Sequence, residues 1–116
     1  MNQKSFSSKI NFTTVSDLFY SDYCNFKGRE ISEKSALTIN SIFVNRIKPF
    51  IGDKMLREVT DLDCQNIIIR QKDQKASHGT LFGTYSVLTR IFRSALLNYL
   101  ITKENYPCKG LRMLTF

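Results

Sequence analysis

The sequence predicts an all-α domain, a compact bundle of four main helices. Three observations lead there. Apolar residues recur at helical spacing in four separate stretches, each stretch opens at or near a Ser or Thr able to cap a helix, and glycine, proline or short polar runs separate them.

The first helix starts behind Thr14, with Asp17 completing a capping pair, and sets Val15, Leu18, Phe19 and Phe26 along one side until Gly28 stops it. A second begins near Ser32, with Glu33 suiting the positive end of the dipole, and carries Ile39, Ile42, Phe43 and Ile47 on one stripe; Pro49 and Gly52 are expected to end it. A short connection, 53–59, leads to Thr60, which with Asp63 caps a third helix whose apolar side is Cys64, Ile67 and Ile68. Ile67 to Ile69 taken alone would pass for a buried strand, but the cap before it and the polar run 71–75 after it favour helix. The fourth and longest helix opens near Ser77 and is expected to reach about Leu100, with Leu81, Tyr85, Leu88, Ile91, Phe92, Ala95 and Tyr99 on one face. Residues 1–12, rich in Ser, Asn and Lys and without a period, read as a flexible arm or linker remnant. Pro107 and Gly110 punctuate an irregular exit through Phe116.

With 116 residues, 42% of them hydrophobic, the chain is large enough to bury a core without disulfides or metal. Cys24, Cys64 and Cys108 are far apart and form no C-x-x-C pair, so they read as buried reduced thiols and supply no zinc site. No stretch approaches the ~20 apolar residues of a membrane span, and the first twelve residues have no apolar h-region, which together read as a cytoplasmic protein without a membrane partner. Catalysis has little to stand on. His78 is the lone histidine, the carboxylates are scattered, and neither a P-loop nor a dinucleotide glycine motif occurs; no catalytic centre, cofactor, metal or small-molecule substrate is expected. The net charge of +7 is uneven, because residues 65–116 hold eight Lys or Arg against Asp73 and Glu104 alone. Such a basic half suits a polyanionic partner.

Four helices in this order with these connectors resemble the core-binding domain (SAM-like, N-terminal) of tyrosine recombinases of the phage-integrase type, over about residues 13–112. Three stretches carry the resemblance: Phe12-Thr13-Thr14-Val15-Ser16-Asp17-Leu18-Phe19, the run from Ile47 to Asp63, and the run from Asn105 to Leu111. The middle run is the most specific. In the family a proline and a glycine break the second helix, an apolar residue anchors the following turn and an Ile/Val-Thr pair caps the third, places that Pro49, Gly52, Leu56, Val59 and Thr60 fit. Tyr106 departs from the pattern by separating Asn105 from Pro107, which the family usually has adjacent.

The resemblance implies sequence-directed binding of double-stranded DNA as one part of a site-specific recombinase that works in DNA integration or recombination. This domain would grip one face of the site, with other protomers on the same DNA, while a separate C-terminal domain cleaves and rejoins the strand. Residues 113–116 would then begin the linker to that domain, and Tyr20, Tyr23, Tyr85, Tyr99 and Tyr106 have no claim to its nucleophile role. It also implies that the second and fourth helices approach the major groove, which joins a pattern in the residues. Opposite the apolar stripe of the fourth helix lie Gly79, Gly83, Ser86 and Arg90. Each glycine inside a helix costs roughly 1 kcal/mol against alanine, so two of them one turn apart suggest close approach of another molecule. Ser77, His78 and Thr80 stand at the helix N-terminus, where free amides and the dipole favour phosphate. Lys75 leads there from the basic end of the third helix, and Lys34, Ser35 and Thr38 occupy the polar side of the second. These are the candidate DNA contacts, and on this reading Gly83→Leu spares folding while Arg90→Ala leaves the core alone. The competing readings are that the glycines admit a neighbouring helix, and that the chain is a helical protein-interaction or oligomerisation module receiving a partner on its glycine face and Leu97.

Overall fold

The computed structural model describes residues 13–112, so the readings made for 1–12 and 113–116 lie outside the described residues. The elements in order are α1 (Val15–Phe26), α2 (Glu33–Ile42), a π-helical turn (Phe43–Ile47), α3 (Lys48–Ile51), a 3₁₀ turn (Leu56–Glu58), α4 (Asp61–Asp73) and α5 (His78–Leu97), with no strand among the described residues. Because α2, the π turn and α3 run on without a break, the main helices are the four expected. None of them is long and apolar enough to cross a membrane.

Local chemistry sets most of the boundaries. The side chains of Thr14, Ser32, Thr60 and Ser77 accept from the backbone amides of Asp17, Ser35, Asp63 and Thr80, and at Thr60 the carboxylate of Asp63 returns the bond at 3.0 Å to complete a capping box. Gly28 follows α1 at φ +72°, a left-handed conformation that glycine adopts without a Cβ penalty.

Two helix ends differ from expectation. Pro49 does not terminate the second helix; it lies in the first turn of α3, directly after the π turn. The buried residues Phe43, Ile47 and Ile51 recur every fourth position, wider than the 3.6 residues of an α-helical turn, and one enlarged turn, in which the amide of Lys48 donates to the carbonyl of Phe43, keeps all three on the core side. The i to i−4 ladder is already interrupted there, so a proline without an N–H fits. The fourth helix ends at Leu97, and Tyr99, expected on its apolar face, is 88% exposed at φ +60°. Tyr99 occupies the left-handed position of a Schellman cap: its amide donates to the Leu96 carbonyl and that of Leu100 to the Ala95 carbonyl, which folds Leu100 back into the core. Lys75, at φ +61°, closes α4 in the same way, with Ala76 donating to Gln71.

The long helix α5 packs on α1, α2, the π turn and α4, and contributes Leu81, Val87, Leu88, Ile91, Phe92 and Ala95 to one core. Across it Phe19 of α1 stacks on Phe43, with centroids 4.0 Å apart and planes 12° from parallel. Thr84 is fully buried but satisfied, donating to Gln71 Oε1 at 2.8 Å and so tying α5 to α4. The amides of Val15 and Ser16 donate to the carbonyls of Lys54 and Gly52, which holds the start of α1 against the 52–56 connection. Gly52 has no room for a side chain there, because a Cβ would sit 2.7 Å from the Lys48 carbonyl oxygen and 2.8 Å from Ser16 Oγ. Of the three thiols expected inside, Cys64 and Cys108 are buried, whereas Cys24 is exposed on α1. The hydrogen bond to Cys108, together with burial, pushes the Cys64 thiol up, so it stays protonated and inert as a small apolar group.

Candidate nucleic-acid interface

The first turns of α5 and the outer side of α2 enclose a groove of about 470 Å³, lined by Thr38, Ser41, Ile42, Arg46, Ser77, Gly79, Thr80 and Gly83. Five of the sequence candidates therefore meet here: Thr38, Ser77, Gly79, Thr80 and Gly83. Arg46 is the charged member of the lining, and its Nη1 donates to the Thr80 carbonyl at 3.3 Å. In a straight helix Arg46 would lie about 80° around the axis from Thr38. The π turn advances less per residue and brings Arg46 back toward the same side. Sequence periodicity missed it for that reason.

The hydroxyls at the groove's end are engaged with each other. Ser77 Oγ accepts the Thr80 amide and donates to Thr80 Oγ1 at 3.1 Å, so both serve the helix cap before they can serve a ligand. The two glycines are not alike. A Cβ on Gly79 would meet nothing nearer than Ser77 Oγ at 3.9 Å, whereas one on Gly83 would meet Ile42 Cδ1 at 3.2 Å and Arg46 Nη1 at 3.5 Å. Gly79 is open to another molecule, while a side chain at Gly83 requires Ile42 Cδ1 to give by a few tenths of an ångström, so whether Gly83→Leu spares folding turns on whether Ile42 yields.

Lys34, Ser35, Lys75 and His78 are exposed around this region but do not line the groove. Ser35 belongs to the Ser32 cap, the Lys34 carbonyl accepts from Thr38 Oγ1 at 3.3 Å, and Lys75 is the left-handed residue closing α4. Near that end of α4, Arg70 lies 5.0 Å above the ring of Phe50. From His78 to Phe92 the exposed residues of α5 are His78, Gly79 and Phe82. Phe82 lay outside both the apolar stripe and the polar face as read from sequence, and its 53% exposure singles it out.

Ser86 and Arg90 line a different cleft, of about 500 Å³, between α5 and the end of α1, together with Asp22, Phe26, Glu30, Arg93 and Ser94. The Arg90 guanidinium lies 4.3 Å over the Phe26 ring and 3.7 Å from Glu30. It therefore covers part of the core, and Arg90→Ala removes packing as well as charge. In the same cleft, burial raises the Asp22 carboxyl above its ordinary value, outweighing the Ser94 hydrogen bond and the Arg90 charge that lower it, with Glu30 adding to the rise. A carboxyl with a raised folded pKa binds more protons folded than unfolded, so its contribution is full below the unfolded value and is lost as pH rises through the folded one. Asp22→Asn is expected to flatten this dependence: urea midpoints followed from about pH 4 to pH 7 should show the variant gaining on the wild type as pH rises. A difference between the two chains that stays constant with pH would show that burial does not burden Asp22.

Residues 14–70 match the family described as phage integrase, N-terminal SAM-like domain. The match includes the middle run singled out above and the α2 side of the groove, Thr38 to Arg46, and ends before α5. Comparison with curated proteins and comparison with solved structures found no match.

Proposed function

Since residues 14–70 match the family described as phage integrase, N-terminal SAM-like domain, we propose that residues 13–112 grip duplex DNA as the core-binding domain of a tyrosine recombinase. The groove between α2 and α5 then lies against the sugar-phosphate backbone. The observation that carries this reading is Arg46, fixed by the Thr80 carbonyl at the N-terminal end of α5 among small side chains that leave the backbone within reach. An arginine fork beside free helix amides meets two demands of a phosphate at once, charge and directed donors. The basic balance of residues 65–116 adds a general attraction for the polyanion. Thr38, Ser77, Gly79 and Thr80 would border the contact, with Lys34, Ser35, Lys75 and His78 around it and Ser86 and Arg90 farther along α5. Strand cleavage would belong to a separate catalytic domain and assembly to further protomers on the DNA, so this chain binds duplex DNA weakly and does not cut it.

Arg46→Ala is the test. Binding to duplex DNA should weaken, and the slope of log affinity against log salt should become shallower by about 0.9 if one phosphate contact is lost. The variant also gives up the bond to Thr80, about 1 kcal/mol of stability, so affinities are compared where circular dichroism shows both proteins folded. Arg46→Lys keeps the charge and should retain most of the slope. An unchanged slope in Arg46→Ala removes the groove from the interface. Salt-insensitive self-association without DNA binding would instead favour a protein-interaction module, with the 70% exposed Leu97 as its first contact.

A further inference from the structure

Through its first four turns α5 presents only His78, Gly79 and Phe82 fully to the outside. The positions one turn away from Phe82 on the same helix are His78, Gly79, Tyr85 and Ser86; Tyr85 is partly buried against the core, and the ring of Phe82 is left 53% exposed. A single exposed phenylalanine is unremarkable on most surfaces. Here it stands beside the groove, whose lining, apart from Ile42, offers hydroxyls, bare backbone and a guanidinium. Those groups suit phosphate oxygens. Phe82 has no polar atom, so it can neither position the helix on phosphates nor hydrogen-bond a base edge. What it can discriminate is apolar surface, and the major groove offers one such feature that differs between base pairs, the 5-methyl group of thymine. That groove, about 12 Å wide, also admits a helix of ~10–12 Å diameter side on.

We propose that Phe82 is a specificity-determining residue that packs against a thymine methyl in the major groove. The proposal rests on the DNA-binding reading above and adds base selectivity to it. Duplexes bound by the 116-residue chain are enriched from a random-sequence pool, and the enriched pool is copied once with dTTP and once with dUTP, so that the two copies differ only in the methyl group. The wild type should bind the thymine copy about fourfold more tightly for each methyl contacted, the ratio expected for taking one methyl out of water. Phe82→Ala should bind both copies alike, near the level of the wild type on the uracil copy. Phe82→Leu should keep a preference for thymine. Equal binding of the two copies by the wild type overturns the proposal and needs no folded variant. So does a thymine preference that survives Phe82→Ala, which would place the methyl contact elsewhere, or a loss of affinity in Phe82→Ala that is equal on both copies, which would indicate packing on sugars. Failure to enrich any duplex overturns the DNA-binding reading itself, and this proposal with it.

Discussion

Phe43→Ala is expected to destabilise the domain by about 3–5 kcal/mol, the usual cost of deleting a phenylalanine from a packed core. Phe43 is fully buried, its ring is stacked on Phe19 at 4.0 Å, and the edge of Tyr20 meets it with centroids 5.8 Å apart. Aromatic pairs of this kind add to the area they bury. The position is also structural in a second sense, since Phe43 opens the π turn and its carbonyl accepts from Lys48. Against a total stability of about 5–15 kcal/mol for a domain of this size, the loss is roughly a fifth or more. Urea unfolding followed by far-UV circular dichroism should show the midpoint falling by roughly 1–3 M with little change in slope. Arg46 follows Phe43 in the same turn, so DNA affinity should fall even where the variant is still folded. A loss under about 1 kcal/mol would mean that the core closes over the gap, and that the Phe19–Phe43 stack does not hold α1 to the π turn.

What was legible in the sequence was what short-range chemistry decides. A Ser or Thr followed three residues later by an amide to cap is a local arrangement, so Thr14, Ser32, Thr60 and Ser77 mark their helices in the sequence and cap them in the structure. Gly28 marks its turn for the same reason. Lys75 and Tyr99 carry no such mark: both adopt the left-handed conformation that non-glycine residues disfavour, and both are held there by the apolar residue that follows, Ala76 or Leu100, turning back toward the core. The π turn was hidden because Pro49 is a helix breaker by every local rule, and only the fourfold spacing of Phe43, Ile47 and Ile51 hinted that the helix continued. The candidate site divides along the same line. Thr38 and the start of α5 both lie on the outward, polar sides of their helices, which pattern can show. Arg46 depends on the π turn, and Arg90 depends on where the Gly28–Ile31 turn places Glu30 and how α1 presents Phe26. Neither is visible without the packing of one helix on another.

The glycine pair puts this difference to a direct test. Gly83→Leu is expected to destabilise the domain, because the first carbon of the new side chain already lies 3.2 Å from Ile42 Cδ1, tighter than ordinary van der Waals contact, and the remaining carbons add bulk beside it. Overpacking of this kind costs about 1–3 kcal/mol. The gain in helix propensity, up to about 1 kcal/mol, offsets only part of it. The new side chain also displaces the guanidinium of Arg46, 3.5 Å from the same carbon, from its place beside Thr80, so DNA binding should fall at temperatures where the variant is still folded. Gly79→Leu should behave in the opposite way in one measurement and alike in the other. No other helix stands within 4 Å of its Cβ position, so stability should hold or rise, while a bulky group on the exposed side of the first turn of α5 holds the phosphates off and weakens binding. Urea unfolding of the two variants separates the cases. If Gly83→Leu proves as stable as Gly79→Leu, then Ile42 and Arg46 yield freely and α5 does not need its close approach to α2. If Gly79→Leu binds DNA as well as the wild type does, the first turn of α5 lies away from the duplex, and the contact must be sought on another face.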